Sequence, residues 1–478
     1  MKKNICLTNI FLGIFIALGF IETIEAKVIP NNLFADNMVL QQQQAALPLW
    51  GTASPGKTLT VRTSWNDQSY TTSVDKQGNW KVRIATPEAG GPYSINFDDG
   101  ATTTLTNILI GEVWVCSGQS NMVTPMTGNP NGQAIEPTSS IDAVIHSRNP
   151  RLRLFNVDRL SDVKPRTDIG GQWSEATPAT VAPFSAVAYH FGKMLQQVLD
   201  VPVGIICTAW GGSTIEAWMS KEMLADKNII IPQRIQEIKD PDQTPTTIYN
   251  GMIHPLLGMS MRGFLWYQGE ANVGRANEYT GLFTRFINGI RKEWGIGDFP
   301  FYYCQIAPFK YWGDTDVSQY LREAQLKVES TLPNIGMAVL MDAGSKVDIH
   351  PARKRKVGER LCQQALVRTY GLRGVPAQSP VYQNMEIKGN SIIVTFARAP
   401  MGLTSYNNPL TLFTIAGADR KFYPAKARIE NNQVIVLSDS VSNPVAVRYA
   451  FKDYAEGELF GSEGLPVSSF RTDNFPEE

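Results

Sequence analysis

The chain has 478 residues, 43% of them hydrophobic, and its 44 basic residues balance 44 acidic ones. Such a balance builds no field that would gather a polyanion, so nucleic acid is excluded as an expected partner. The length exceeds the size at which one hydrophobic core stops growing, which predicts two or three domains.

Residues 1–26 have the layout of a secretory signal peptide: Lys2 and Lys3 form a charged start, 10–21 are apolar, and Ala26 closes a cleavage site. The apolar stretch is about a dozen residues, short of the roughly 20 that a membrane span requires. The expectation is export to the periplasm or outside the cell, with no span in the mature chain. Removing this leader leaves Cys116, Cys207, Cys304 and Cys362. The first three stand in apolar, strand-like runs, where cysteine acts as a small buried hydrophobe. There is no CxxC pair and the four histidines are scattered, so neither a metal nor another cofactor is expected.

From 27 to 106, strand-like runs at 47–50, 59–64, 79–84 and 93–97 are separated by turn pairs such as Ser54-Pro55, Gln77-Gly78 and Gly90-Gly91. That cadence predicts a β-sandwich segment. From 107 to 375, apolar strands at 153–157, 204–210, 263–267, 301–306 and 337–341 alternate with helical patterns at 186–199, 278–294 and 353–370. The alternation predicts an α/β domain with a mostly parallel sheet and helices on both faces. From 376 to 478 the β cadence returns at 389–396, 410–415 and 433–437. The two β segments are compatible with separate modules or with a single flanking domain, and support is their default role.

The apolar run 110–116 leads into Gly118-Gln119-Ser120-Asn121-Met122. A strand ending there puts Ser120 at a corner, where its hydroxyl can stand beyond the carboxyl edge of a parallel sheet among converging backbone N–H groups. Taken alone, the pentapeptide is as readily a plain turn. Far downstream, 342–351 read DAGSKVDIHP. A serine hydroxyl is a weak nucleophile until an imidazole takes its proton, and a carboxylate fixes that imidazole's tautomer, which makes His350 and Asp348 the candidates. His190 sits in a 3.6-period apolar segment and reads as a core or helix-face histidine, and His146 as a solvated one. His254 lies beside Asn250 and Gly251, in a turn that can line a site. The apolar run 201–210 ends in Gly211-Gly212, which either presents a backbone N–H to a ligand or simply turns the chain. The strand at 263–267 ends in Gln268, Glu270 and Asn272, and the carboxyl ends of strands are where open α/β sheets build sites.

In this order, GQSNM with Pro125, AWGGSTIEAW at 209–218, YNGMIHPL at 249–256, WYQGEAN at 266–272, FPFYYCQIAPF at 299–309 and DIHP at 348–351 resemble the SGNH-hydrolase superfamily. Within it the chain resembles the sialate O-acetylesterase family of carbohydrate esterases, over roughly residues 108–370. The resemblance implies a three-layer α/β/α catalytic domain flanked by the two β-sandwich segments. It implies a serine esterase that removes O-acetyl groups from a sugar, most specifically O-acetylated sialic acid, through an acetyl-serine intermediate. Ser120 is then the nucleophile, His350 the base and Asp348 the acid. The implied oxyanion hole takes the Ser120 N–H, a glycine N–H at Gly211 or Gly212, and a side chain from the QGEAN turn, Gln268 ahead of Asn272. Glu270, Asn272, Asn250 and His254 are further candidates for site lining.

The chain departs from the wider superfamily in two places, one of them the replacement of the usual asparagine block by QGEAN, which leaves open whether Gln268 or Asn272 completes the oxyanion hole. The acid usually stands three residues before the histidine, where Val347 is found here, and Asp348 stands two before, which keeps Glu270 as a second candidate for orienting the imidazole. Val123 occupies a position that is acidic or polar in many relatives. The same chemistry also suits acetylxylan or acetyl-xyloglucan, and a non-catalytic sugar-binding protein is the rival from another class. Trp210, Trp218, Trp266 and Trp312 either offer flat faces to sugars or fill core. The cations Arg353, Lys354, Arg355 and Lys356 follow His350 and read as a solvated helix face. One of them, Arg353 first, is also placed to attract a sialate carboxylate.

Overall fold

The computed structural model describes residues 27–475 apart from 129–134, 226–228 and 314–315. The signal-peptide stretch, 1–26, lies outside the described residues.

A 17-residue strand, β1 (Thr102–Gly118), organises the molecule. Its sequence changes character halfway. Up to Asn107 it is polar except for Leu105 and its residues alternate between exposed and half-buried, and from Ile108 onward every residue is buried. The second half is the centre of a sheet built from β2 (Asn149–Asn156), β3 (Trp173–Ala176), β4 (Val203–Ala209), β5 (Gly263–Tyr267), β6 (Phe301–Cys304) and β7 (Ile335–Ala338). Their spatial order is β3-β2-β4-β1-β5-β6-β7, and every pairing is parallel except β3 on β2.

Because successive side chains leave a strand on opposite faces, this sheet feeds two cores. Val113, Val115, Phe264, Trp266, Phe301 and Tyr303 belong to one. Trp114, Cys116, Leu265, Tyr267, Tyr302 and Cys304 belong to the other. The second core is covered by α1 (Ala186–Leu199) and the first by α2 (Ala276–Trp294) and α3 (Ser318–Val328), with α4 (Lys354–Arg368) packed beside α1. The result is the three-layer α/β/α arrangement that the alternation predicts. The Ser185 hydroxyl starts α1 by accepting the Ala188 N–H at 3.1 Å. The four thiols Cys116, Cys207, Cys304 and Cys362 are buried and unpaired.

Helix α3 is absent from the sequence-based expectation, for a physical reason. Its buried face carries Gln319, Arg322 and Gln325 as well as Leu321 and Ala324, so polar residues interrupt the apolar stripe that marks a helix.

Strands Ile29–Pro30, Gln44–Thr52 and Asn79–Thr86 form one antiparallel N-terminal sheet. Thr58–Thr63, Ser69–Ser73 and Gly90–Asp98 form the opposing one, which continues onto the first half of β1. Trp80 and Phe97 meet between the two sheets with ring centroids 5.5 Å apart. A single strand thus serves the sandwich with one half and the central sheet with the other, and position 106/107 lies within it. The C-terminal segment builds two four-stranded sheets of its own, and Tyr382 of one stacks on Phe470 of the other at 5.1 Å. Among the described residues no ladder joins the N-terminal strands to the C-terminal ones. The C-terminal segment is fastened to α3. The Asp453 carboxylate accepts the Val317 and Ser318 N–H groups at 2.9 and 2.8 Å, and Arg471 pairs with Glu323 at 3.0 Å. No described helix is long and apolar enough to cross a membrane.

Candidate active site

Gly118 closes β1 with φ +140°, and a Cβ there would stand 2.1 Å from the Tyr267 carbonyl oxygen. Only glycine therefore lets β1 and β5 stay paired to their last register, Gly118 opposite Tyr267. The chain then turns into a one-turn helix, Ser120–Val123, held by the Thr124 N–H and hydroxyl on the Ser120 carbonyl at 2.9 and 2.8 Å. Ser120 sits at the head of that turn with 9% of its surface exposed. The chain after β4 runs against it. A Cβ on Gly211 would be 3.5 Å from the Ser120 Cβ, so the glycine backbone reaches the serine without an intervening side chain.

Asn121 points inward and connects three segments. Its Nδ2 donates to Glu270 Oε1 at 2.5 Å and to the Ile349 carbonyl at 3.0 Å, and its Oδ1 accepts from Lys354 Nζ. Asn121 follows Ser120 and Ile349 precedes His350, so one hydrogen bond across a sequence separation of 228 holds the serine turn against the histidine loop.

The His350 side chain is 23% exposed, and its Nδ1 lies 3.7 Å from Asp348 Oδ1, within ion-pair range. The same carboxylate oxygen accepts the His350 backbone N–H at 2.8 Å. Burial holds the imidazole pKa below its ordinary value, the Lys354 ammonium acts in the same direction, and the Asp348 carboxylate opposes them. Glu270 is buried and its side-chain hydrogen bond goes to Asn121, while Oε2 has no partner. Burial raises the Glu270 carboxyl pKa.

Gln268, expected in the oxyanion hole, is corrected by its surroundings. Its Nε2 donates to the Ser213 carbonyl at 2.9 Å and to Asn272 Oδ1 at 2.7 Å, and its Oε1 accepts from the Tyr279 hydroxyl at 2.7 Å. Both amide hydrogens are spent inside the fold. Asn272 is likewise committed, accepting the Ile215 N–H at 3.0 Å and donating to Glu216 at 3.1 Å. The QGEAN turn is held to the serine corner by Gln119, whose Oε1 accepts the Gly269 and Ala271 N–H groups at 3.1 and 3.3 Å.

Asn250 and His254 do not join this cluster through their hydrogen bonds. Asn250 donates to the Asp162 carbonyl at 3.0 Å and His254 Nδ1 meets the Arg166 carbonyl at 2.7 Å, so both brace the 162–166 loop. They line a separate cavity of about 600 Å³ together with Glu222 and Glu293. His190 is a core histidine whose pKa burial pushes down to about 3. Among the tryptophans, Trp218 and Trp266 meet edge to face at 5.8 Å in the core, so neither faces a sugar, whereas Trp312 is exposed.

The cation run is corrected at Lys354, which is only 2% exposed where a solvated face was expected. The spacing of Lys354, Val357 and Leu361 at i, i+3 and i+7 puts it on the buried stripe of α4, and that was the available signal. Asn121 gave no such signal, because asparagine after serine reads as a turn residue.

The family described as carbohydrate esterase, sialic acid-specific acetylesterase, matches residues 110–367. A carbohydrate acetylesterase from Xanthomonas citri superposes with a TM-score of 0.86 at 37% identity, covering 94% of this chain and 100% of that one. The sialate O-acetylesterase of Homo sapiens is 27% identical over 91% of this chain and 90% of its own length. That of Mus musculus is 26% identical, covering 87% and 88%.

Proposed function

This chain belongs to the sialic acid-specific acetylesterase family of carbohydrate esterases and is a carboxylic ester hydrolase, and on that premise we propose that Ser120, His350 and Asp348 perform the acyl transfer. Ser120 Oγ attacks the acetyl carbonyl. His350 takes its proton and returns it to the departing sugar oxygen, and water then hydrolyses the acetyl-serine by the same route. Asp348 orients and stabilises the imidazolium from 3.7 Å, a role for which Glu270, turned toward Asn121, is the poorer candidate. The oxyanion is met by the N–H of Ser120 and of Gly211 or Gly212, with no donor from Gln268. One observation carries this assignment: the 3.0 Å bond from Asn121 to the Ile349 carbonyl, which sets the two reacting segments side by side.

We assign 1–26 to export, 107–375 to catalysis, and 27–106 and 376–478 to its support. The names of the mammalian relatives support an O-acetylated sialic acid as substrate. A neutral glycan such as acetylxylan or acetyl-xyloglucan is favoured by one observation, that each cation placed to meet a sialate carboxylate already has a protein partner. Arg353 binds the Asp342 carbonyl and Glu456, Arg355 binds Glu359, and Lys356 binds Asp342. Hydrolysis of an aryl acetate by the natural enzyme and by Ser120→Ala tests the chemistry, and equal rates would reject it. Acetate release from acetylated sialic acid, xylan and xyloglucan then separates the substrates.

A further inference from the structure

Lysine ammonium groups are almost never buried without a partner, because removing the charge from water is costly. Lys354, at the start of α4, is buried and donates to Asn121 Oδ1. The amide hydrogens of Asn121 go to the Glu270 carboxylate and to the Ile349 carbonyl. One uncharged side chain therefore stands between a buried cation and a buried carboxyl group. An ammonium only donates and a carboxylate only accepts, so together they define which end of the amide is oxygen and which is nitrogen. A flipped amide would turn its oxygen toward both Glu270 and Ile349 and lose the bond that holds the histidine loop.

We propose that Lys354 is a positioning residue for the acetyl transfer: it holds the Asn121 amide in the one orientation that fastens the His350 loop to the Ser120 turn. This rests on the esterase assignment above. The groups facing Lys354 are Glu270 after β5, Asp348 and His350 on the loop before α4, and the Cys304 thiol at the end of β6. The Tyr267 and Tyr311 hydroxyls face Glu270. Burial raises Cys304 and both phenols well above their ordinary values, so they carry no charge at neutral pH. The ammonium is therefore answered by Glu270 and Asp348.

Burial pushes the Lys354 pKa down to about 8. Above that pH the neutral amine also accepts hydrogen bonds, so the charged donor that pins the Asn121 oxygen is lost and the orientation is left to Glu270 and the Ile349 carbonyl alone. The natural enzyme should therefore lose kcat/KM on the alkaline side from about pH 8. Lys354→Arg, charged throughout, should carry the plateau at least about one pH unit higher. Lys354→Met should lose kcat by roughly 100-fold, the penalty of an ångström of misplacement, with KM for the aryl acetate within about twofold. An alkaline limb unmoved in Lys354→Arg, or full kcat in Lys354→Met, would overturn the proposal.

Should neither variant fold, the His350 ring resonances of the Ser120→Ala protein report the same coupling without activity. A second titration step near pH 8 is expected there, and its absence also overturns the proposal. Failure of the esterase assignment shows separately, as aryl acetate turnover that does not depend on Ser120.

Discussion

Replacing Gly118 with alanine tests how tightly the serine corner depends on strand pairing. The added Cβ would stand 2.1 Å from the Tyr267 carbonyl oxygen, 2.7 Å from its carbon and 2.9 Å from the Tyr267 nitrogen. All three are backbone atoms, and tolerable Cβ contacts begin at 3.0 Å, so the carboxyl ends of β1 and β5 must part. The shortfall at the oxygen is about an ångström, a displacement that typically costs about 100-fold in rate when it reaches a reacting group. Alanine must also adopt φ +140°, foreign to a side chain with a Cβ. That strain costs on the order of 1–3 kcal/mol and the overpacking a similar amount, so a loss of about 2–6 kcal/mol is expected. The assays are aryl acetate turnover and urea unfolding followed by tryptophan fluorescence. A variant with undiminished kcat and an unchanged unfolding midpoint would refute the argument that glycine is required at this corner.

Two further outcomes follow from the site. Gln268→Met removes three internal hydrogen bonds and should cost about 2–4 kcal/mol of stability, while kcat falls by less than the 10²- to 10³-fold typical of a lost oxyanion donor. A fall of that size at unchanged stability would restore Gln268 to the oxyanion hole. In the proposed mechanism the base is neutral His350, whose pKa lies below its ordinary value, so the acid limb of kcat/KM should fall below pH 6.5. Because the Asp348 charge raises that pKa, Asp348→Asn should move the limb to still lower pH while reducing the plateau, and a limb that moves upward would contradict the geometry.

What the sequence by itself determined was local and periodic. The apolar runs at 186–199 and 263–267 coincide with α1 and β5 end to end, because hydrophobic spacing reports the face a segment must bury. The same logic placed Ser120 after β1 and Gln268 after β5, at the carboxyl edge of the sheet. Only the tertiary structure decided the use of the polar groups. Gln268 satisfies Ser213 and Asn272 instead of facing a ligand, Lys354 goes inside to answer Asn121, and Trp218 and Trp266 pack on one another. Helix α3 has no apolar signature because Arg322 and Gln325 are buried against groups far along the chain, such as Ser469 and the Gln268 carbonyl. The difference has a physical origin. Burial of an apolar side chain is non-directional and any core will serve, whereas a buried polar atom needs a complementary partner at hydrogen-bond distance, and that partner is brought there by elements remote in sequence.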